Sequence, residues 1–251
     1  MVGETHLNLS GQHEEFEDFL LLNPAGRQRL LEKYEGAACE AVLDFNWSAV
    51  PYNRVALVNQ LVARVGPECH YLEIGCDNND LFSAVAAKSK VGVDPVRGGS
   101  HRMTSDAFFE RNKALFDVIF LDGLHTYEQL HRDVENALTR LRPGGFIAIH
   151  DLVPLNWREA HVPRINGAWT GDVWKVGVEL ARSEGIAFQI VLIDHGVGVI
   201  RHEGRTAMPP LRDLQVELQD AGFAEFHEMF ETLPTLDWEG WNNWLAQGSA
   251  P

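Results

Sequence analysis

Between residues 70 and 149, short apolar runs alternate with longer stretches of helical periodicity, and this alternation constrains the fold more than any other feature. Tyr71-Leu72-Glu73-Ile74, Lys90-Val91-Gly92-Val93, Phe116–Leu121 and Phe146–Ile149 are the short runs. Asn79–Ala87 and Tyr127–Leu141 lie between them with helical spacing, the latter closed by Pro143-Gly144-Gly145. Short, nearly continuous apolar strands are buried on both faces, which calls for helices on both sides of a parallel sheet. Phe188–Ile193 and Val197–Arg201 flank Asp194-His195-Gly196. That turn is too short to join parallel strands, so one strand must be reversed. The expected fold is α/β: a Rossmann-like, mostly parallel sheet with a reversed last strand.

Flanking segments read as helical extensions. Glu14–Leu22, Pro24–Leu43 and Tyr52–Val65 carry apolar residues at helical spacing, and Val173–Ser183 follows the strand ending at Ile149. The tail Leu211–Gln247 is helical in pattern and rich in aromatics. The expected organisation is a cap over residues 1–50, a core domain over 51–204 and an extension over 205–251, packed as one unit. Trp238, Trp241 and Trp244 recur at helical spacing, which suits a core stripe or a homo-oligomer contact better than a ligand cage.

The chain holds 36 acidic and 21 basic residues, a formal net charge of -15, and such a field repels phosphate backbones. The expected partner is a small molecule, with no nucleic acid. Three cysteines without CxxC spacing argue against a disulfide framework. No run approaches the roughly 20 apolar residues of a membrane span. A cytoplasmic protein is expected.

Ligands of open parallel sheets bind beyond the carboxyl ends of the strands. The first such end is Glu73-Ile74-Gly75-Cys76-Asp77-Asn78-Asn79, where Gly75 permits a tight turn and close backbone approach. As a GxGxxG site it fails, because Asp77 and Asp80 occupy the places of the later glycines. Asp94 ends the next strand 19 residues after Gly75, where a carboxylate can take ribose hydroxyls. That spacing serves several nucleotide cofactors, and a turn glycine with a capping Asp would leave the same trace.

Taken in order, Glu-Ile-Gly-Cys at 73–76, Gly-Val-Asp-Pro at 92–95, Phe116–Gly123 and Leu-Arg-Pro-Gly-Gly at 141–145 resemble the class I S-adenosylmethionine-dependent methyltransferases. The resemblance covers about residues 50–202. It implies that Glu73, Gly75 and Cys76 line the methionine end of S-adenosyl-L-methionine. It further implies that Asp94 holds the ribose, that Ser105, Asp106 and Ala107 reach the adenine, and that Asp122 borders the cofactor. The chain departs from the family in lacking a small residue in the loop 77–80.

Asp122-Gly123-Leu124-His125 and His150-Asp151 follow adjacent central strands, so these groups should converge beside the methyl donor. Oxygen and nitrogen donors of this kind bind Mg, Mn, Fe or Zn. A hydroxyl becomes a good nucleophile once its proton leaves, which a bound cation and a neutral imidazole together promote. The frame Asp-x-x-His, with a further pair 28 residues after the Asp, is similar to the metal-dependent O-methyltransferases of natural-product sugars, the macrocin type included. The chain departs from them at His150, where that group carries an acidic residue. Asp122, His150 and Asp151 are the expected ligands of a divalent cation, and His125 the catalytic base. His161 and His195 read as structural or substrate-adjacent.

The expected activity is methyl transfer to a small-molecule hydroxyl, in natural-product biosynthesis by resemblance. A metal-independent N- or carboxyl-methyltransferase, an NAD-binding oxidoreductase and a non-catalytic binding module are its rivals. The long 154–172 loop, with Trp157 and Trp169, reads either as a lid over the acceptor or as packing on the sheet edge.

Overall fold

A computed structural model describes residues 22–204 and 207–247. Its centre is one seven-stranded sheet. Strands β1 (His70–Ile74), β2 (Ser89–Val93), β3 (Phe116–Leu121), β4 (Leu141–Ile149), β5 (Ala187–Val191), β6 (Val197–Arg201) and β7 (Thr235–Leu236) lie in the order β2-β1-β3-β4-β6-β5-β7. β6 is the reversed strand, antiparallel to both β4 and β5.

Side chains alternate across the sheet, so each strand feeds two cores. Ile119 and Leu121 of β3 and Ile147 and Ile149 of β4 join one apolar cluster. Val118 and Phe120, Phe146 and Ala148 join the other. Helices α4 (Ser105–Arg111), α5 (Tyr127–Leu138) and α7 (Trp174–Ala181) cover the first face. Helices α2 (Arg54–Val65) and α3 (Asp80–Ala84) cover the second, joined by α10 (Trp238–Gln247). The remaining α-helices among the described residues are α1 (Pro24–Lys33), α6 (Trp157–Ala160), α8 (Gln215–Leu218) and α9 (Phe223–Met229). None of the described helices is long and apolar enough to cross a membrane.

Several boundaries differ from expectation. The helix expected over Pro24–Leu43 ends at Lys33, because the chain turns at Tyr34 and Leu43 then donates a backbone hydrogen bond to the Leu155 carbonyl. The helix expected over Asn79–Ala87 spans only Asp80–Ala84, and that over Tyr127–Leu141 stops at Leu138. Pro143-Gly144-Gly145 does not end that helix but lies inside β4, where Gly144 and Gly145 exchange backbone hydrogen bonds with His202. The third strand position is reduced to a single bridge between Val93 and His101. The tail is not wholly helical: Thr235-Leu236 adds an edge strand parallel to β5. The expected helix Glu14–Leu22 falls almost wholly outside the described residues.

The aromatic tail is built into this chain's own core. Trp241 is fully buried and its indole N–H donates to Gln60 Oε1 on α2 at 2.6 Å. Trp238 stacks on Tyr52, and Trp244 lies under the Arg201 guanidinium.

Candidate active site

Backbone hydrogen bonds align the strand ends. Gly75 N donates to the Val93 carbonyl, Asp122 N to Ile74 and His150 N to Leu121. Residues 75, 94, 122 and 150 are thereby set side by side, and a cavity of about 660 Å³ opens above them. That is ample for a nucleotide-sized ligand with an acceptor beside it.

Gly75 lets two backbones meet at the site. Its φ is +84°, and an alanine Cβ there would lie 1.8 Å from the Asp122 carbonyl oxygen. Glu73 is buried and accepts a 2.5 Å hydrogen bond from the Tyr71 hydroxyl. Burial pushes its carboxyl up to about 7. Cys76 is also buried, its thiol aimed at the Glu73 and Val93 carbonyls. Burial pushes that thiol up to about 12, so it is no nucleophile at neutral pH.

Asp94 organises one rim of the cavity. One carboxylate oxygen accepts from Val96 N and Arg97 N at 2.8 Å each, and the other accepts from Asp77 N at 3.0 Å. The loop that lacks a small residue solves its turn another way. Asp77 and Asn79 adopt φ of +42° and +66°, a region that Asp and Asn tolerate better than other side-chain-bearing residues. Asn79 Oδ1 then accepts from Gly99 N at 2.7 Å, tying the two loops together.

Thr104 and Ser105 reach the cavity wall, where the Ser105 hydroxyl accepts from Gln129. Asp106 turns instead toward Gln129 and Arg132, and Ala107 N is taken by the Thr104 cap. Neither Asp106 nor Ala107 lines the cavity.

At the chemistry end, two carboxylates and two imidazoles converge. His125 Nε2 lies 3.2 Å from Asp122 Oδ1, and His125 Nδ1 lies 3.3 Å from Asp151 Oδ2. His150 Nδ1 lies 3.3 Å from both Asp122 Oδ1 and Asp151 Oδ1. Burial opposes the charged form of each histidine, but the carboxylates of Asp151 and Asp122 outweigh it and raise both, His150 furthest. Burial likewise works against the Asp122 carboxylate, yet His150 and His125 hold it well below the usual range.

The structure adds residues that the sequence did not single out. Asp194, read only as part of a hairpin turn, brings Oδ1 to 3.7 Å from His150 Nε2. Its other oxygen accepts from the backbone and side chain of Arg54 at 3.0 and 2.8 Å. Arg54 and Arg164 both line the cavity. No local signal marks these residues, since Arg54 and Asp194 stand 140 positions apart. Of the loop tryptophans, Trp169 forms part of the cavity wall and stacks on His125, while Trp157 packs against the core. His161 packs at a tilt against Tyr34, and His195 lies against Trp47.

The five non-glycine residues with positive φ among those described are Asp77, Asn79, Asp151, Asp194 and His195, and all sit around this end of the sheet. Such backbone costs roughly 1–3 kcal/mol per residue and concentrates where function demands it.

A mostly parallel sheet with its cavity at a glycine turn and an acidic second strand end is a Rossmann-like arrangement with its ligand site at the carboxyl edge. Residues 55–152, which run from α2 to just past β4, match the family model described as a methyltransferase domain. No curated protein matches the sequence. Among solved structures, the chain is similar to the MycE methyltransferase of the mycinamycin biosynthetic pathway, in complex with Mg, SAH and mycinamycin VI. The identity is 15%, with 61% of this chain and 50% of that one covered and a TM-score of 0.41. It thus spans about half the length of MycE. An O-methyltransferase from Bacillus cereus in complex with SAH is 15% identical over 75% of this chain and 96% of that one, with a TM-score of 0.41. The SAH-bound Podospora anserina methyltransferase PaMTH1 is 16% identical over 72% and 97%, with a TM-score of 0.46.

Proposed function

We propose that this chain transfers the methyl group of S-adenosyl-L-methionine to a hydroxyl of a small molecule, with the aid of a divalent cation and a histidine base. The observation that carries the reading is the convergence of Asp122, His125, His150 and Asp151 on the cavity that Gly75 and Asp94 border. Two carboxylates within 3.3 Å of the same imidazole form a mixed oxygen and nitrogen donor set, which fits a divalent ion. Asp122, Asp151 and His150 Nδ1 would hold it. When bound, such an ion lowers the pKa of an acceptor hydroxyl.

The chain's own groups do the rest. Glu73, Gly75 and Asp94 seat the cofactor. The His125 side chain is 22% exposed and that of His150 only 8%, so His125 is the imidazole within reach of an acceptor proton. A methyl acceptor must meet that base and the sulfonium carbon in one line, which strand-end placement favours. One observation favours a second division of labour. Asp122, His125 and Asp151 each offer a ligand atom, all within 4.8 Å of one another, so His125 itself could be the nitrogen ligand.

The test is turnover of labelled S-adenosylmethionine against a panel of sugars, glycosylated macrolides and catechols, with and without EDTA. Loss of transfer in EDTA and recovery with Mg or Mn is expected; full turnover in excess EDTA overturns the cation. Direct Mn binding decides the ligands, since Asp122→Ala should abolish it and His125→Ala should not. Protons compete for the same donors. Because the His150 imidazole is held above its ordinary value by the neighbouring carboxylates, Mn affinity should keep rising as pH increases through neutrality.

Asp94→Ala should weaken S-adenosylhomocysteine binding by about 1–3 kcal/mol, because it leaves polar partners buried without a bond. Asp94→Asn, which keeps an acceptor for the loop amides, should lose less. Calorimetry checks both, and binding of NAD in place of S-adenosylhomocysteine would overturn the cofactor assignment.

A further inference from the structure

We propose that Trp169 is a positioning residue for His125: its carbonyl oxygen and indole face set which imidazole nitrogen meets the acceptor, and residues 169–172 form a fixed wall of the site. The inference rests on the reading of His125 as the base.

Residues 169–172 grip His125 from several sides. The Trp169 carbonyl lies 3.1 Å from His125 Nδ1, the same nitrogen that faces Asp151. Nδ1 thus faces two acceptors and Nε2 only one, Asp122 Oδ1 at 3.2 Å, a balance that favours the proton on Nδ1 and turns Nε2 toward the reacting end of the site. The Trp169 indole stacks on the imidazole with centroids 5.1 Å apart and planes at 22°. Gly171, at φ +63°, passes so close that an alanine Cβ would lie 1.8 Å from the His125 carbonyl oxygen. Asp172 Oδ1 then accepts from Tyr127 N at 2.7 Å, capping α5 where Thr126 makes no side-chain cap.

The wall is itself anchored, which a loop that opens and closes would not be. Thr170 N and Gly171 N both donate to the Glu159 carbonyl at 3.0 Å. The Glu159 carboxylate accepts from Leu155 N and the Asn156 side chain, pinning α6. The Trp169 indole N–H donates to the His161 carbonyl at 2.7 Å, and the His161 ring packs on Tyr34 at the end of α1. A chain of contacts therefore runs from α1 to the base. Trp169 is part of the cavity wall as well, so an acceptor would meet the indole beside the imidazole.

The experiment uses the full chain, 15N-labelled and saturated with S-adenosylhomocysteine. Imidazole nitrogen shifts of the neutral His125 ring report its tautomer. The Nδ1–H form is expected in the unaltered protein, and a shift toward Nε2–H in Trp169→Ala, where loss of the stacked indole and of its bond to His161 releases the residue-169 carbonyl from its place against Nδ1. Trp169→Leu fills the space without a ring face, guards against a folding failure, and should behave like Trp169→Ala. Trp169→Phe keeps a stack and should restore the tautomer. With an acceptor from the panel, Trp169→Ala and Trp169→Leu should lower kcat about 10–100-fold, the scale of a misplaced catalytic group, while cofactor affinity holds. An unchanged tautomer in both variants, with only the acceptor KM raised, overturns the proposal and makes the loop a lid. Unimpaired turnover in His125→Ala overturns the base reading instead, so the two failures are distinguishable.

Discussion

His125→Ala is expected to lower kcat about 10²–10⁴-fold, the usual worth of a positioned general base, while S-adenosylhomocysteine binding is retained. Glu73 and Asp94, the proposed cofactor-binding residues, bond to Tyr71 and to loop amides, and the His125 ring bonds elsewhere, so on that proposal cofactor affinity has no reason to change. The imidazole does touch Asp122 and Asp151, and deleting it removes a counter-charge from both. His125→Gln, which keeps a polar group at the site but cannot act as a base, separates the two consequences. Both variants should lose turnover together. If His125→Gln were fully active, the proton would have to leave by another route, and the base role would fall to another group.

Gly75→Ala is expected to destabilise the fold by about 3 kcal/mol or more, since it combines left-handed strain with a backbone clash. An added methyl would sit 1.8 Å from the Asp122 carbonyl and 2.9 Å from Gly123 Cα, so two central strand ends would have to part. For a chain of this size, a loss of that order lowers Tm by roughly 6–12 °C. Gly66→Ala is the control, because Gly66 also has a positive φ, +110°, but nothing within 4 Å of the added carbon. It should cost only the backbone strain, about 1–3 kcal/mol, with no added clash. Thermal unfolding of the two variants measures the difference, and equal shifts would mean that the strand ends can separate freely. Gly75→Ala should also abolish the thermal response to S-adenosylhomocysteine.

Much of this site is legible in the sequence. Gly75, Asp94, Asp122, His125, His150 and Asp151 all follow apolar strands, and parallel strands deliver the residues at their carboxyl ends to one edge. The 3.3 Å convergence of His150 on both carboxylates realises that expectation. Asp106 and Ala107 show its limit. They do follow the third strand position, but rotation about α4 turns Asp106 to Arg132 and away from the cavity.

Local pattern determined what depends on neighbours along the chain: the strands from their short, nearly continuous apolar runs, the reversed β6 from a turn too short to cross the sheet, and the glycine turn from its single permissive residue. Tertiary structure alone decided what depends on partners far away in sequence. Lys33 ends a helix because Leu43 bonds to Leu155; Thr235-Leu236 is a strand because β5 has an open edge; Asp194 reaches His150 because Arg54 holds it there. A backbone amide or a buried carboxylate must find a partner wherever one exists, and periodicity carries no record of where that is.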